Sequence, residues 1–262
     1  MSNFPTGKPH VSFSEVKTWT ECGYRHKLSY IGKIEIPSEK IHADFGTILH
    51  NAIESYLKTK SMNAQSALDE IDRVWSQKQY KKPDTWKVWA TNILAEVPDW
   101  LEKEFPGWSY IGAEFELYEN IPEEEYVKFK GFVDCLISAP GFRGKDKIWI
   151  IDWKTGPAYG WRREKKEDPM VLSQLYLYKD FLMRKLEIEK SSDVGVAFVV
   201  LKKGAKPGNC IDRVDVSAGP KKLEESRKLL KNMISGVKNG KFIKNKYACE
   251  WCDFAKSGHC KR

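Results

Sequence analysis

The chain has 262 residues, 41% of them hydrophobic and 13% aromatic, which is enough for one packed domain and excludes a disordered protein. Its 44 Lys and Arg against 36 Asp and Glu leave a formal charge of +8, a balance that favours a polyanionic partner. No window approaches the roughly 18 apolar residues of a membrane span, and the first residues have no apolar signal stretch, so a cytoplasmic protein with no membrane contact is expected. In a reducing compartment, six cysteines point to metal or redox chemistry rather than to disulfides.

In chain order, VSFSEVKTWTECGYRHKLSYI opens on a serine cap and carries Phe13, Val16, Trp19 and Leu28 at roughly helical spacing. Asp44 to Lys58 predicts an amphipathic helix, with Phe45, Ile48, Leu49, Ala52, Ile53, Tyr56 and Leu57 on one stripe. Two further helices are expected over Ala64–Gln79 and Thr85–Glu104. Three strands follow, over Tyr110–Tyr118, Tyr126–Ser138 and Lys147–Lys154. A loop, a helix over Met170–Leu186, two strands over Val194–Leu201 and Cys210–Val216, and a helix over Lys221–Val237 complete the pattern. That order predicts an α/β (α+β) layered domain around a mixed sheet.

The stretch WIIDWKTG ends an apolar run on two opposite charges, Asp152 and Lys154. Strand alternation sets Ile148, Ile150, Asp152 and Lys154 on one face and Trp149, Ile151 and Trp153 on the other. In FKGFVDCL the same alternation aligns Asp134 with Phe132. If these strands form a hairpin, Asp134 and Asp152 approach each other, and two carboxylates so placed need a cation such as Mg²⁺ or Mn²⁺ between them. An adjacent lysine could then orient a water and offset charge on a phosphorus under attack. For the D-x-K triplet alone, an ordinary strand-end ion pair is the alternative. Gln174 and Tyr178 are four apart and share a helix face, as do Gly46, His50 and Glu54.

The full series reads G-x3-H-x3-E, G-x2-D, I-I-D-x-K-T-G and Q-x3-Y, and it resembles the PD-(D/E)xK nuclease superfamily, in particular its RecB-like exonuclease branch. The resemblance covers about Ser12 to Cys260 and implies a restriction-endonuclease-like core acting on DNA. It further implies that His50, Asp134, Asp152 and the Trp153 carbonyl bind the metal and that Lys154 is the catalytic lysine. Gln174 and Tyr178 would hold DNA or the site's geometry. Glu114 sits where many relatives carry an acidic strand residue, with Glu116 sharing its face. The whole of 1–262 is expected to be one nuclease domain: helical over 10–108, the catalytic core over 109–218, and a final helix with a cysteine cluster over 219–262.

Cys249, Cys252 and Cys260 are spaced C-x2-C-x7-C at the end of the chain, with Cys22 far upstream. Four thiolates can ligate a [4Fe–4S] cluster or a structural zinc. One ligand near the start and three at the end resembles the iron–sulfur staple of the same branch. Cys135 and Cys210 read as small buried apolar residues.

The loop GPAYGWRREKKED mixes Tyr159 and Trp161 with Arg162, Arg163, Lys165 and Lys166, a composition suited to a single-strand channel or to a solvated loop. Lys202, Lys203 and Lys206 fall in a hairpin turn and read as exposed turn residues, with contact to a phosphate as the other reading. The functional expectation is a metal-dependent DNA exonuclease working on single strands or duplex ends, with recombination or replication proteins as possible partners. A non-catalytic or complex-dependent DNA-binding subunit is the alternative.

Overall fold

The computed structural model describes residues 4–37, 40–141 and 144–261. A short strand β1 (His10–Ser12) leads into helices α1 (Phe13–Glu21) and α2 (Gly23–His26) and a π-helical turn over Lys27–Ile31. Helices α3 (Ile41–Thr59), α4 (Ala64–Lys78) and α5 (Pro83–Glu104) precede strands β2 (Ser109–Asn120), β3 (Lys128–Pro140) and β4 (Asp146–Pro157). Then come α6 (Arg163–Lys166), α7 (Pro169–Lys185), β5 (Val194–Lys203), β6 (Ile211–Asp215), α8 (Pro220–Lys238) and α9 (Asp253–Lys256). Among the described residues, no helix is long and apolar enough to cross a membrane.

The sequence pattern explains the layers. On β4 and β5, Ile150, Val196 and Phe198 face one core, shared with Phe181 of α7 and Leu230 of α8. Ile151, Trp153, Val199 and Leu201 face a second core, shared with Phe45 of α3 and Ile93 of α5. The strands are thus covered on both faces, and β5 is buried along nearly its whole length. That is why it reads as a continuous apolar run rather than an alternating one. Local signals agree with this packing. Asp168 caps α7, accepting from the Met170 N–H at 2.8 Å ahead of a proline at N1, and Ser12 caps α1 by accepting from Glu15.

Two features differ from expectation. The strand β1 was not anticipated, because three residues carry too little periodicity; it exists only through parallel pairing with β3. The first helix does not run through to Leu28. It breaks at Cys22, whose extended backbone (φ −164°, ψ 110°) turns its side chain toward the chain's last segment.

The sheet has a gap that positions the site. Along one edge β3 pairs with β2 throughout. On its other edge it has two neighbours in turn: β1 opposite Lys128–Lys130, and β4 opposite Cys135–Pro140. Beyond Ile151, β4 leaves β3 and continues beside β5 alone, from Asp152 opposite Phe198 to Pro157 opposite Lys203. Strands that diverge in this way open a crevice at their ends, the usual place for a site in an open sheet. Helix α7 lies across it, and Gly131 makes room. A Cβ on Gly131 would sit 2.7 Å from Cε1 of Tyr178.

Candidate active site

The last β3–β4 pair is Cys135 with Ile151. One step further, the same register sets Asp134 against Asp152, on one face, where the strands part. Asp134 Oδ2 accepts the Trp153 backbone N–H at 2.8 Å, which ties the strands at the mouth of the gap. Burial and the charge of Asp152 push the Asp134 carboxyl well above its ordinary range, while Lys154 and the Trp153 N–H pull the other way.

Helix α3 delivers His50 to this point because its apolar stripe packs down onto the second core. His50 Nδ1 lies 3.6 Å from Asp134 Oδ2. Burial lowers the imidazole pKa; the Asp152 charge and a hydrogen bond to the Trp153 backbone oppose this. The result favours the neutral ring that a metal requires.

Glu114 enters from β2, next to an irregularity in the β2–β3 register between Tyr110 and Gly112. Its φ of +46° is a left-handed conformation that costs a non-glycine residue roughly 1–2 kcal/mol. That turn brings a Glu114 oxygen, a His50 nitrogen and an Asp134 oxygen within 4.8 Å of one another. Burial raises the Glu114 pKa, helped by Glu54 and Asp152. Glu116, which alternation alone could not separate from Glu114, is instead engaged with Lys130 at 3.2 Å.

Asp152 is held from the other side. Its Oδ1 accepts from Gln174 Nε2 of α7 at 2.8 Å, and Gln174 in turn donates to the Tyr178 hydroxyl at 3.3 Å. The Lys154 ammonium lies 2.5 Å from Asp152 Oδ2, yet that buried oxygen has no well-aligned donor. We read the pair as an ion contact with a poorly directed hydrogen bond. Burial would lower the Lys154 pKa, but Asp152 and Asp134 outweigh it and the net shift is upward, so the amine stays charged. Burial next to Asp152 holds the Tyr178 phenol up at about 12.

Three donors in one small volume (His50, Glu114 and Asp134), with the Asp152 carboxylate outside that group and in contact with Lys154, make an oxygen-rich set with one imidazole that fits a hard divalent cation such as Mg²⁺ or Mn²⁺. Chemically, the arrangement can hold a phosphate beside a charged amine and an ion.

Two sequence readings need correction around the rim. Trp161 does not face solvent; it is buried against Phe198 and Gly156, so it cannot stack on bases, although Tyr159 is exposed. Lys202 is not an exposed turn residue but a buried one, paired with Asp212 at 2.6 Å and Asn209 at 2.8 Å.

Cys22, Cys249, Cys252 and Cys260 all line one small cavity. The Asn245 N–H donates to the Cys22 sulfur at 3.4 Å, and Asn245 Nδ2 donates to the Glu21 carbonyl at 3.0 Å. Gly23 lies so close to Ile243 that a Cβ would meet its backbone N at 3.0 Å. Beside it, His26 bonds Glu15 at 2.9 Å in full burial and stacks on Tyr30. Cys135 and Cys210 are buried apolar residues, as their surroundings in the sequence suggested.

Comparison with known proteins supports the same conclusion. The family model of the PD-(D/E)XK nuclease superfamily matches residues 10–257. No curated protein matches the sequence. In fold the chain is similar to the crystal structure of a "Putative exonuclease" from Eubacterium rectale, with a TM-score of 0.60 and 16% identity over 97% of this chain and 90% of that one. A second crystal structure, that of SSO0001, has a TM-score of 0.36 and 16% identity over 82% of this chain and 94% of that one, too distant to bear on the argument. The mixed sheet flanked by helices is the restriction-endonuclease-like fold. With its donor-lined gap and a family match over nearly its whole length, the chain belongs to the PD-(D/E)XK nuclease superfamily and is a metal-dependent nuclease.

Proposed function

We propose that the protein is a DNA exonuclease of the RecB-like branch, acting on single strands or duplex ends in recombination, repair or phage DNA metabolism. What supports this reading is the sheet gap, where the β3–β4 register carries Asp134 toward Asp152, with His50 and Glu114 beside the first and Lys154 beside the second. His50, Asp134, Asp152 and the Trp153 carbonyl would hold the ion, and Glu114 joins them by its proximity. A divalent ion bound there supplies Lewis-acid polarisation of the phosphate and acidifies the attacking water. Lys154 orients that water and offsets negative charge as the water oxygen bonds to phosphorus and the bond to the leaving sugar oxygen breaks. Gln174, backed by Tyr178, fixes the rotamer of Asp152.

The four cysteines are assigned to a [4Fe–4S] cluster with a structural role. All four cysteines line one cavity, and among the described residues no three of their sulfurs lie all within 4.8 Å of one another. Tetrahedral zinc would draw its sulfurs to about 3.8 Å from one another. Iron with inorganic sulfide in anaerobically purified, brown protein is the expected result; zinc in colourless protein overturns the assignment.

The test of function is digestion of end-labelled single- and double-stranded DNA, linear against circular, with Mg²⁺, Mn²⁺ or EDTA. Linear molecules should be degraded from their ends, circles spared and EDTA inhibitory. Cutting of circles refutes the exonuclease reading, and no cleavage of any DNA refutes the substrate.

A further inference from the structure

The cysteine module carries more aromatic surface than its own folding uses. Phe254 is buried within it and Phe242 packs on the main core. Tyr247 and Trp251, by contrast, are 94% and 76% exposed, the two most exposed aromatics among the described residues. Side chains left in water to that degree contribute little to stability. They stand in a stretch, 241–261, with five lysines against two acidic residues. Aromatics standing free among uncompensated cations match a surface that stacks bases and meets phosphates.

The module is joined to the catalytic gap by cations. Lys165 lies close enough to both Lys154 and Lys17 to feel their charges, and its ammonium rests 4.4 Å from the Trp161 ring. Among the described residues it has no carboxylate in ion-pair contact. Lys17 is on α1, one helical turn (about 6 Å) before Glu21, and Glu21 is where Asn245 of the module is attached. Lys17 is itself paired with Glu21 at 3.8 Å, so Lys165 is, among the described residues, the unpaired cation between the gap and α1, and α1 carries on to the module through Glu21 and Asn245.

We propose that single-stranded nucleic acid entering the catalytic gap runs over Lys165 and Lys17 along α1 and stacks on Tyr247 and Trp251, making the cysteine module part of the substrate-binding surface. This rests on the nuclease reading and deepens it by naming the substrate's course.

Binding of fluorescein-labelled oligo(dT) to the full-length protein in EDTA, read by anisotropy, tests the path. Tyr247→Ala/Trp251→Ala should weaken a 20-mer about tenfold or more and leave a 4-mer, which reaches only the gap, unchanged. Tyr247→Phe/Trp251→Phe should restore tight binding, since a phenyl ring also stacks. An unchanged visible spectrum and melting temperature establish that the module is intact in each variant. Lys17→Ala should reduce the salt slope of 20-mer binding by about 0.7.

Wild-type affinity in the Ala/Ala variant overturns the path, as does failure of the Phe/Phe variant to recover. So does a change in self-association with DNA binding intact, which would make the patch a protein-docking surface. If wild-type protein digests linear DNA while Ala/Ala binds normally, this inference alone falls. If wild-type protein neither cleaves nor binds DNA, the nuclease reading on DNA falls first.

Discussion

Gln174 on α7 donates from Nε2 to Oδ1 of Asp152 on β4 at 2.8 Å, so a helix on one face of the sheet sets the aim of a carboxylate at its gap. Groups that orient a metal-binding carboxylate matter nearly as much as the carboxylate itself. Gln174→Ala should therefore lower kcat or metal affinity roughly 10–100-fold with little change in melting temperature. Steady-state cleavage at varied Mg²⁺ measures it, and wild-type activity would remove Gln174 from the site.

Lys154→Ala and Asp152→Ala should abolish cleavage, while DNA binding persists in EDTA. Retained cleavage in either variant refutes the assignment of the gap. Lys154→Arg tests geometry as well as charge: its fork cannot reproduce a point ammonium against Asp152, so it should rescue little.

Gly131 is required by the ring of Tyr178. A Cβ 2.7 Å from Cε1 forces that ring or β3 to move, and overpacking of this kind costs about 1–3 kcal/mol. Gly131→Ala should thus lower both stability and activity. Combined with Tyr178→Ala the two losses should not add, because the clash is gone. Denaturant melts of the four proteins in the cycle provide the check.

Lys179 is a buried ammonium bonded to the Ser191 carbonyl at 2.7 Å, and burial, with Lys147 nearby, brings its pKa down to about 8. Between pH 8 and the ordinary value of 10.5 the unfolded chain binds the proton and the folded one does not. Stability from this group therefore rises with pH across that window and is lost as pH falls through 8. The full effect is of order 3 kcal/mol. Lys179→Met should gain stability relative to wild type at pH 7 and lose that advantage near pH 10, as followed by urea midpoints. A difference independent of pH would show that the amine carries no burial penalty.

Cys22→Ser should loosen the chain's last segment from α1. Limited proteolysis with mass spectrometry should then show new cuts within 241–261, together with loss of bound metal. Protection equal to that of wild type would mean that Asn245 and Gly23 contacts suffice without the sulfur.

Most elements were legible in the sequence because their periodicity reflects burial. The stripe from Phe45 to Leu57 and the alternation of Ile150, Ile151 and Trp153 each report which core a side chain faces. The pairing of Asp134 with Asp152 followed from alternation plus one assumption, a β3–β4 hairpin, which the structure contains. What local pattern could not give came from tertiary contact. The strand β1 exists only beside β3. Trp161 looked like a loop aromatic until Phe198 and Gly156 enclosed it. Glu114 and Glu116 share a face in a regular strand, and only the left-handed turn at Glu114 separates their surroundings.

The dependence of β1 on β3, and of Cys22 on the last segment, has a consequence for biosynthesis. His10 must wait for Lys128, and Cys22 for Asn245, 223 residues later in the chain. At ribosomal speeds that second wait lasts about 10–45 s. Until the strands and helices of that core have emerged, Phe13 and Val16 of the first helix have nothing to pack against. Assembly is thereby ordered by translation: the strand beside the gap is anchored only once Lys128–Lys130 have emerged, and the cysteine module closes on α1 only once Asn245 has.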